Sequence, residues 1–302
     1  MQGIIRNGVR IDESFAEAFP MAATGLIVTA PTRKWANQAA ATATGYATSV
    51  IGCDCEAGVD RELSEDETPD GRPGVRMLFF AFSAKGAEKA LVNRVGQCIL
   101  TCPGTALYSA FDGDLKIKVG DSMRQFGDKW QMSKAIDGRR FWRVPVMDGE
   151  FFVESQVGVL KKCVGGGNLL VMGSDWESTM RATEAGVEAI NAVPDAIMPF
   201  PGGIVRSGSK VGSQYKGMSA STNDAYCPTL KGVTKTALED DIGCTLEIVI
   251  DGLTDEAVRV AMRAGLKAII DMGPEKGAKR VGAGNYGGKL GPFHYHLKDL
   301  LP

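Results

Sequence analysis

Four blocks of this chain recur in the same order in its second half, and that repetition limits the possible folds more than any composition does. Ile11-Asp12-Glu13-Ser14 answers Phe152-Val153-Glu154-Ser155 at an offset of 141. Leu26-Ile27-Val28 answers Leu169-Leu170-Val171 at 143, and Gly58-Val59-Asp60-Arg61 answers Gly203-Ile204-Val205-Arg206 at 145. The stretch 77–96, ending Asn93-Arg94-Val95-Gly96, answers 246–265, ending Met262-Arg263-Ala264-Gly265, at 169. Each match alone is weak. In order, and with growing offsets, they read as two copies of one design.

The elements repeat as well. Apolar runs at 25–30 and 168–173 predict buried strands, each leading into a helical stretch at 32–45 and 175–192. Ser174 and Asp175 are N-cap candidates for the later helix. Strand regions follow near 47–53 and 196–205, then buried strands at 75–82 and 245–251. Second helices are expected at 85–100 and 254–270, the latter started by Thr254 and Asp255. With a closing strand, each half reads β-α-β-β-α-β, the split-βαβ pattern. The expectation is an α+β fold of two duplicated ferredoxin-like α/β sandwich lobes. Residues 1–148 form the first, with Lys116-Ile117-Lys118-Val119 and Phe141-Trp142-Arg143-Val144 in extra linking strands; residues 149–302 form the second. The jump in offset from 145 to 169 marks 24 extra residues in the second copy, within a cleft loop at 207–244. Composition leaves open whether that loop is functional or a polar surface excursion.

With 302 residues the chain can bury a core without metal or disulfide staples. Lys and Arg total 34 against 36 Asp and Glu, which argues against a basic nucleic-acid surface and an acidic tail. Glycine, at 38 residues, is the outlier and points to tight turns and close backbone approaches. No apolar run is long enough to span a membrane, and the start carries no secretory h-region, so a cytoplasmic location is expected. The seven cysteines (53, 55, 98, 102, 163, 227 and 244) read as reduced thiols without zinc-site spacing.

Gly282-Ala283-Gly284-Asn285-Tyr286-Gly287 fits G-x-G-x-x-G, but a strand at Phe293 to Leu297 follows instead of a helix. A dinucleotide site is rejected, and a glycine-lined loop for ligand approach remains. His294 and His296 share a strand face without a third ligand, so packing or surface roles are expected and no metal site is assigned. Cys227 lacks a base nearby in sequence and is a weak nucleophile candidate. Glu247 carries the most information. It is the one carboxylate in Thr245-Leu246-Glu247-Ile248-Val249-Ile250, and the offset of 169 places it opposite Leu78 of the first half. Burial would raise its pKa and make it a neutral proton donor; the plain alternative is an edge-strand glutamate in water.

Several strings together resemble one family, end to end. They are Phe15 to Phe19, Ala43-Thr44-Gly45, Thr48 to Ile51, Glu67 to Val75, Pro199 to Val205, Ser221 to Thr229 and Gly284 to Gly291. They are similar to formylmethanofuran:tetrahydromethanopterin N-formyltransferase, and look closest to the methylotroph form, in which the transferase is one component of a formyltransferase/hydrolase complex. The resemblance implies direct formyl transfer between the amine of methanofuran and N5 of tetrahydromethanopterin, both substrates, with no tightly bound cofactor or metal. It also implies a homotetramer, or a complex with formylmethanofuran hydrolase subunits, and Glu247 as the catalytic acid. Substrate contacts are expected from Gly202, Gly203, Ser221, Thr222, Asn223, Asp224, Asn285, Gly287 and Gly288. Arg206, Lys210, Lys216 and Lys289 are candidates, from their loop positions, to meet an anionic methanofuran tail. The other reading is a non-catalytic scaffold or cofactor-binding subunit of such a complex.

Overall fold

The computed structural model describes residues 3–301. They form a mixed α+β structure with five α-helices, divided into two compact units. The chain up to Pro20 joins everything from Val164 onward in one unit; Met21–Cys163 is the other. These boundaries fall inside two long strands, Phe15–Thr29 and Val157–Gly173, each longer than its apolar run suggests.

In the unit Met21–Cys163, the strand portion from Met21 pairs antiparallel with Gly74–Ala81 on one side and Ala106–Ser109 on the other. Gly74–Ala81 continues to Glu56–Leu63, and Ala106–Ser109 runs parallel to Gly149–Glu154. Arg139–Val146 and Met132–Ile136 extend the sheet. The helix Arg33–Thr44 buries Ala36, Ala39, Ala40 and Ala43, one stripe at helical spacing. These small side chains let it lie close on Val75, Met77 and Phe79 in one core. The strand expected near 47–53 is a turn. Tyr46 has positive φ, and the Glu56 carboxylate accepts the Val50 N–H at 3.0 Å, so this β-branched stretch curls instead of pairing. The strand itself is Glu56–Leu63.

In the other unit, the portion of Val157–Gly173 from Val164 pairs antiparallel with Cys244–Gly252 and with Arg280–Gly282. Arg280–Gly282 runs parallel to Val9–Asp12. Helices Trp176–Asn191 and Asp255–Lys276 cover one face, burying Leu169, Val171, Ile248 and Ile250 with Leu266 and Ile269. Their N-caps are Asp175, which accepts from Ser178 N, and Thr254, which accepts from Ala257 N. Gly273, with positive φ before Pro274, breaks the second helix near its end. The strand expected over 196–205 is reduced to Ala196–Ile197 and an isolated bridge at Val205.

The registers correct one alignment. Ile27 pairs with Arg76, and Leu170 pairs with Glu247. If Leu26 answers Leu169, Ile27 answers Leu170, so the position level with Glu247 is Arg76 and not Leu78. The helix N-caps agree with this register, because Thr32 answers Asp175 at 143 and Ser83 answers Thr254 at 171.

The segment 207–244 lies on the face of this sheet that the helices leave open. Leu238 and Ile242 pack on Leu170 and Met172 there. An ion-pair chain ties it down: Arg280, 1% exposed, meets Asp12 at 2.7 Å and Glu239 at 3.2 Å, and donates to the Ala237 carbonyl at 2.6 Å. Removing one partner of a buried pair strands the other charge. Arg280→Ala is therefore expected to lower unfolding stability by about 3–5 kcal/mol in urea denaturation. A loss below about 1 kcal/mol, the worth of an exposed pair, would show that the pair is not structural.

Candidate active site

Strand alternation decides where Glu247 points. Ile248 and Ile250 go into the helix-side core, so Thr245 and Glu247 fall on the opposite face, beside Leu170. Cys244–Gly252 is not a free edge at this point. Val205 N–H donates to the Glu247 carbonyl at 2.7 Å, and Glu247 N–H donates back at 2.9 Å. The edge-strand alternative fails on that pairing. Glu247 is half-buried among apolar neighbours, and no hydrogen bond or ion pair among the described residues reaches its carboxyl. Burial alone pushes its pKa from 4.5 up to about 7.

Around it lies a cleft lined by Asn168, Leu170, Val205 to Ser209, Asn223, Tyr226, Cys227, Thr245 to Glu247 and Gly284 to Tyr286. Asn168 clamps the loop after Arg280–Gly282 at two points: its side-chain oxygen accepts from Gly284 N–H at 2.6 Å and its amide donates to the Gly284 carbonyl at 3.1 Å. Thr245 Oγ1 is buried without a partner and belongs to the cleft wall, a hydroxyl free to bond a substrate. The Tyr286 phenol is held protonated by burial, by Glu247 and by Glu17. Cys227 lines the cleft, but its thiol contacts the Asn223 carbonyl at 3.5 Å and Thr222 Oγ1 at 3.6 Å, neither of them a base.

Of the residues expected from sequence, Glu247, Arg206, Asn223 and Asn285 meet in this cleft. Lys210 and Asp224 pair with each other, which holds the Asp224 carboxyl low. Ser221 donates to the Gly212 carbonyl and Thr222 to the Ser207 carbonyl, so both brace a small hairpin, Lys210–Val211 with Ala220–Ser221. Two parts of the segment 207–244 thus reach the cleft, Ser207 to Ser209 and Asn223 to Cys227; Lys216 lies exposed between them. Gly202 and Gly203 form a turn before Val205, and Gly287, Gly288 and exposed Lys289 lie just past the cleft loop. Gly288 has φ +70 and a Cβ there would meet the His294 ring at 3.2 Å, so only glycine fits. His294 and His296 both pack on Phe15, at 4.9 and 5.0 Å. Among the described residues, no three His, Cys, Asp or Glu side chains gather to hold a metal, and no helix is long and apolar enough to cross a membrane.

Sequence reasoning missed Asn168, Thr245, Tyr226, Tyr286 and Glu17. Glu17 is 1% exposed and takes four backbone N–H groups of the glycine loop. Oε2 accepts from Tyr286 at 2.7 Å and Gly288 at 2.9 Å; Oε1 accepts from Leu290 at 2.5 Å and Gly291 at 2.7 Å. Burial opposes its charge, but these donors win and hold its pKa at about 2.

A carboxyl with a raised pKa on the wall of a cleft is a group suited to acid–base chemistry. Similarity to known proteins defines the class further. The family model for formylmethanofuran-tetrahydromethanopterin formyltransferase matches residues 4–146, and that for its proximal lobe matches 149–300. A curated formylmethanofuran–tetrahydromethanopterin formyltransferase of Methylococcus capsulatus is 55% identical, over 99% of this chain and 100% of its own. A curated component of the formyltransferase/hydrolase complex of Methylorubrum extorquens is 56% identical, over 100% and 98%. The crystal structure of that organism's formyltransferase/hydrolase complex with methylofuran superposes with a TM-score of 0.97 at 56% identity, covering 100% of this chain and 99% of the other. The formyltransferase structure of Methanosarcina barkeri gives 0.91 at 40% identity, over 98% and 100%. This chain belongs to the formylmethanofuran–tetrahydromethanopterin formyltransferase family.

The raised pKa of Glu247 has a thermodynamic sign. The folded value of about 7 lies above the ordinary 4.5, so the folded chain holds this proton more tightly than the unfolded one. The stability it brings is complete below 4.5 and is lost as pH rises through about 7. In thermal denaturation, Glu247→Gln should gain on the parent across that window and level off above about pH 8. A difference between the two that stays flat with pH would show that burial does not govern this carboxyl.

Proposed function

We propose that the chain transfers a formyl group between the amine of formylmethanofuran and N5 of tetrahydromethanopterin, with Glu247 as the acid. The observation that carries this reading is a carboxyl with no bonding partner among the described residues, half-buried beside a cleft and near its midpoint at pH 7. Transfer from one nitrogen to another needs alignment, a donor for the tetrahedral oxyanion and one proton relay. In the forward sense the N5 lone pair attacks the formyl carbon, and the carbonyl electrons move onto oxygen. Glu247 hydrogen-bonds that oxygen, with Thr245 Oγ1 as a second donor. As the C–N bond to methanofuran breaks, Glu247 passes its proton to the leaving amine and regains one from N5. Charge and protons balance without a covalent enzyme intermediate. Arg206 at the cleft edge suits an anionic substrate tail.

Three further parts of the reading rest on the same family. The two halves are proposed as copies of a ferredoxin-like unit, divided in sequence near 148. The matching N-cap positions and strand-pairing registers support this. Assembly is proposed with hydrolase subunits, as in the relative from Methylorubrum extorquens, or as a homotetramer. The proposed location is cytoplasmic. Both cofactors are taken as substrates rather than resident groups.

Purified chain supplied with both substrates should turn over; no formyl transfer would favour the scaffold reading. Glu247→Gln keeps size and a hydrogen-bond donor but cannot release a proton. Its turnover should fall by roughly 10²–10⁴-fold, the usual worth of general acid–base catalysis. Turnover within a few-fold of the parent would remove Glu247 from the chemistry.

A further inference from the structure

We propose that Glu17 is a positioning residue for this reaction: its carboxylate is the internal ligand around which Gly284–Gly291 folds, and through that loop it seats Tyr286 beside Glu247 and shields the acid from water. The proposal rests on the reading of Glu247 as the reacting acid, and deepens it.

Apart from the Glu17 carboxylate and Asn168, the loop is held by scattered single bonds: Asn285 Nδ2 donates to the Phe15 carbonyl at 3.1 Å, Gly287 N–H to Asn285 Oδ1 at 3.1 Å, Glu17 N–H to the Gly284 carbonyl at 3.3 Å, and His294 Nε2 lies 3.0 Å from the Gly291 carbonyl. Four of its glycines, Gly284, Gly287, Gly288 and Gly291, stand within eight residues, and two of these have positive φ, so the backbone alone favours many conformations. Tyr286 remains 37% exposed, so no core fixes it; its ring meets Phe19 at a centroid distance of 6.2 Å. The Glu17 carboxylate is the one group that gathers several bonds to the loop, for its two oxygens each accept two N–H groups and so pin both limbs of the turn. Asn168 pins the entry at Gly284. Tyr286 N–H is one of the four donors, so anchor and cleft wall are adjacent atoms of one residue. An ionised carboxylate is suited to this task because it is acceptor-only and takes bonds on both oxygens. Glu17 stays charged while Glu247 is raised to about 7, because four N–H groups bond the first and no hydrogen bond among the described residues reaches the second.

The groups facing Glu247 are few. Tyr286 and Tyr226 are phenols with raised pKa, Cys227 and Asn168 stand in the wall, and among the described residues Arg206 is the one cation of the cleft lining. Loosening the loop therefore acts on Glu247 mainly by admitting water.

Glu17→Gln tests this. Its amide oxygen can serve one pair of N–H groups, and its NH2 faces the other pair as a donor against donors. The readout is the protonation of Glu247 itself, followed as the infrared carbonyl band of a protonated carboxyl that disappears in Glu247→Gln. In the parent this band should titrate near the value of about 7; in Glu17→Gln the midpoint should fall toward 4.5. The alkaline fall in kcat should move down with it, and kcat should drop more than KM rises. If Glu17→Gln does not fold, Tyr286→Ala carries the test, because it keeps the Glu17 bonds and removes only the ring; the same downward shift is expected. A parent band titrating high with both variants unchanged would overturn the role of Glu17 and leave Glu247 as the acid. A parent band already in the ordinary carboxylate range would overturn the acid itself, and the shielding with it.

Discussion

The bond between the Glu17 carboxylate and the N–H groups of Tyr286, Gly288, Leu290 and Gly291 is the constraint on which the site depends. It joins an early strand to a loop near the other end of the chain, and it does so with a charge. A buried charge is stable only when its bonding capacity is filled. The glycine loop supplies four donors because, lacking side chains at its turns, it can bring successive N–H groups to one point. Glycine content and buried carboxylate therefore explain each other. The same loop then walls one side of the cleft that holds Glu247.

The two glutamates show how environment assigns role. Each belongs to the same compact unit, and burial raises the pKa of each. At Glu17 the donors outweigh burial, and the carboxylate is a structural anion near pH 7. At Glu247 nothing opposes burial, and the carboxyl is near its midpoint at the same pH. Groups of one kind pushed apart in this way mark an acid and its support. The open face of the sheet makes the second case possible. Helices cover the face carrying Leu169 and Ile248, while the segment 207–244 covers the other through Leu238 and Ile242. Glu247 lies on that second face where the cover stops, protected by Val205 and Tyr226 yet open to a substrate.

Much of this is legible from residues. Apolar runs place the central strands, Asp175 and Thr254 start their helices, and an acid in an otherwise apolar strand singles out Glu247. The failures have physical reasons. Thr48 to Ile51 has strand composition, but the Glu56 carboxylate captures the Val50 N–H and bends the chain. Leu78 falls opposite Glu247 only when helix and strand are slid as one block, whereas pairing registers differ from that alignment by one pleat, two residues. Glu17 is invisible as an anchor because its partners are backbone N–H groups, which every residue but proline carries, some 270 positions away in the chain. Lys210 and Asp224 are expected as substrate contacts, and opposite charges in a loop do not reveal that they also meet each other.

A site built this way suits transfer between two amines. Both the attacking and the leaving nitrogen need a proton moved at the same carbon, so a single group that both donates and accepts near neutral pH serves each step. A fully ionised carboxylate could not donate to the oxyanion, and an amide could not relay. The carboxyl must therefore sit near its midpoint, and burial is what moves Glu247 there. Full exposure would hold it charged and unable to donate. The position of Glu247, on a strand that faces helices with one side and a loop-walled cleft with the other, is what fits it to the role proposed for it.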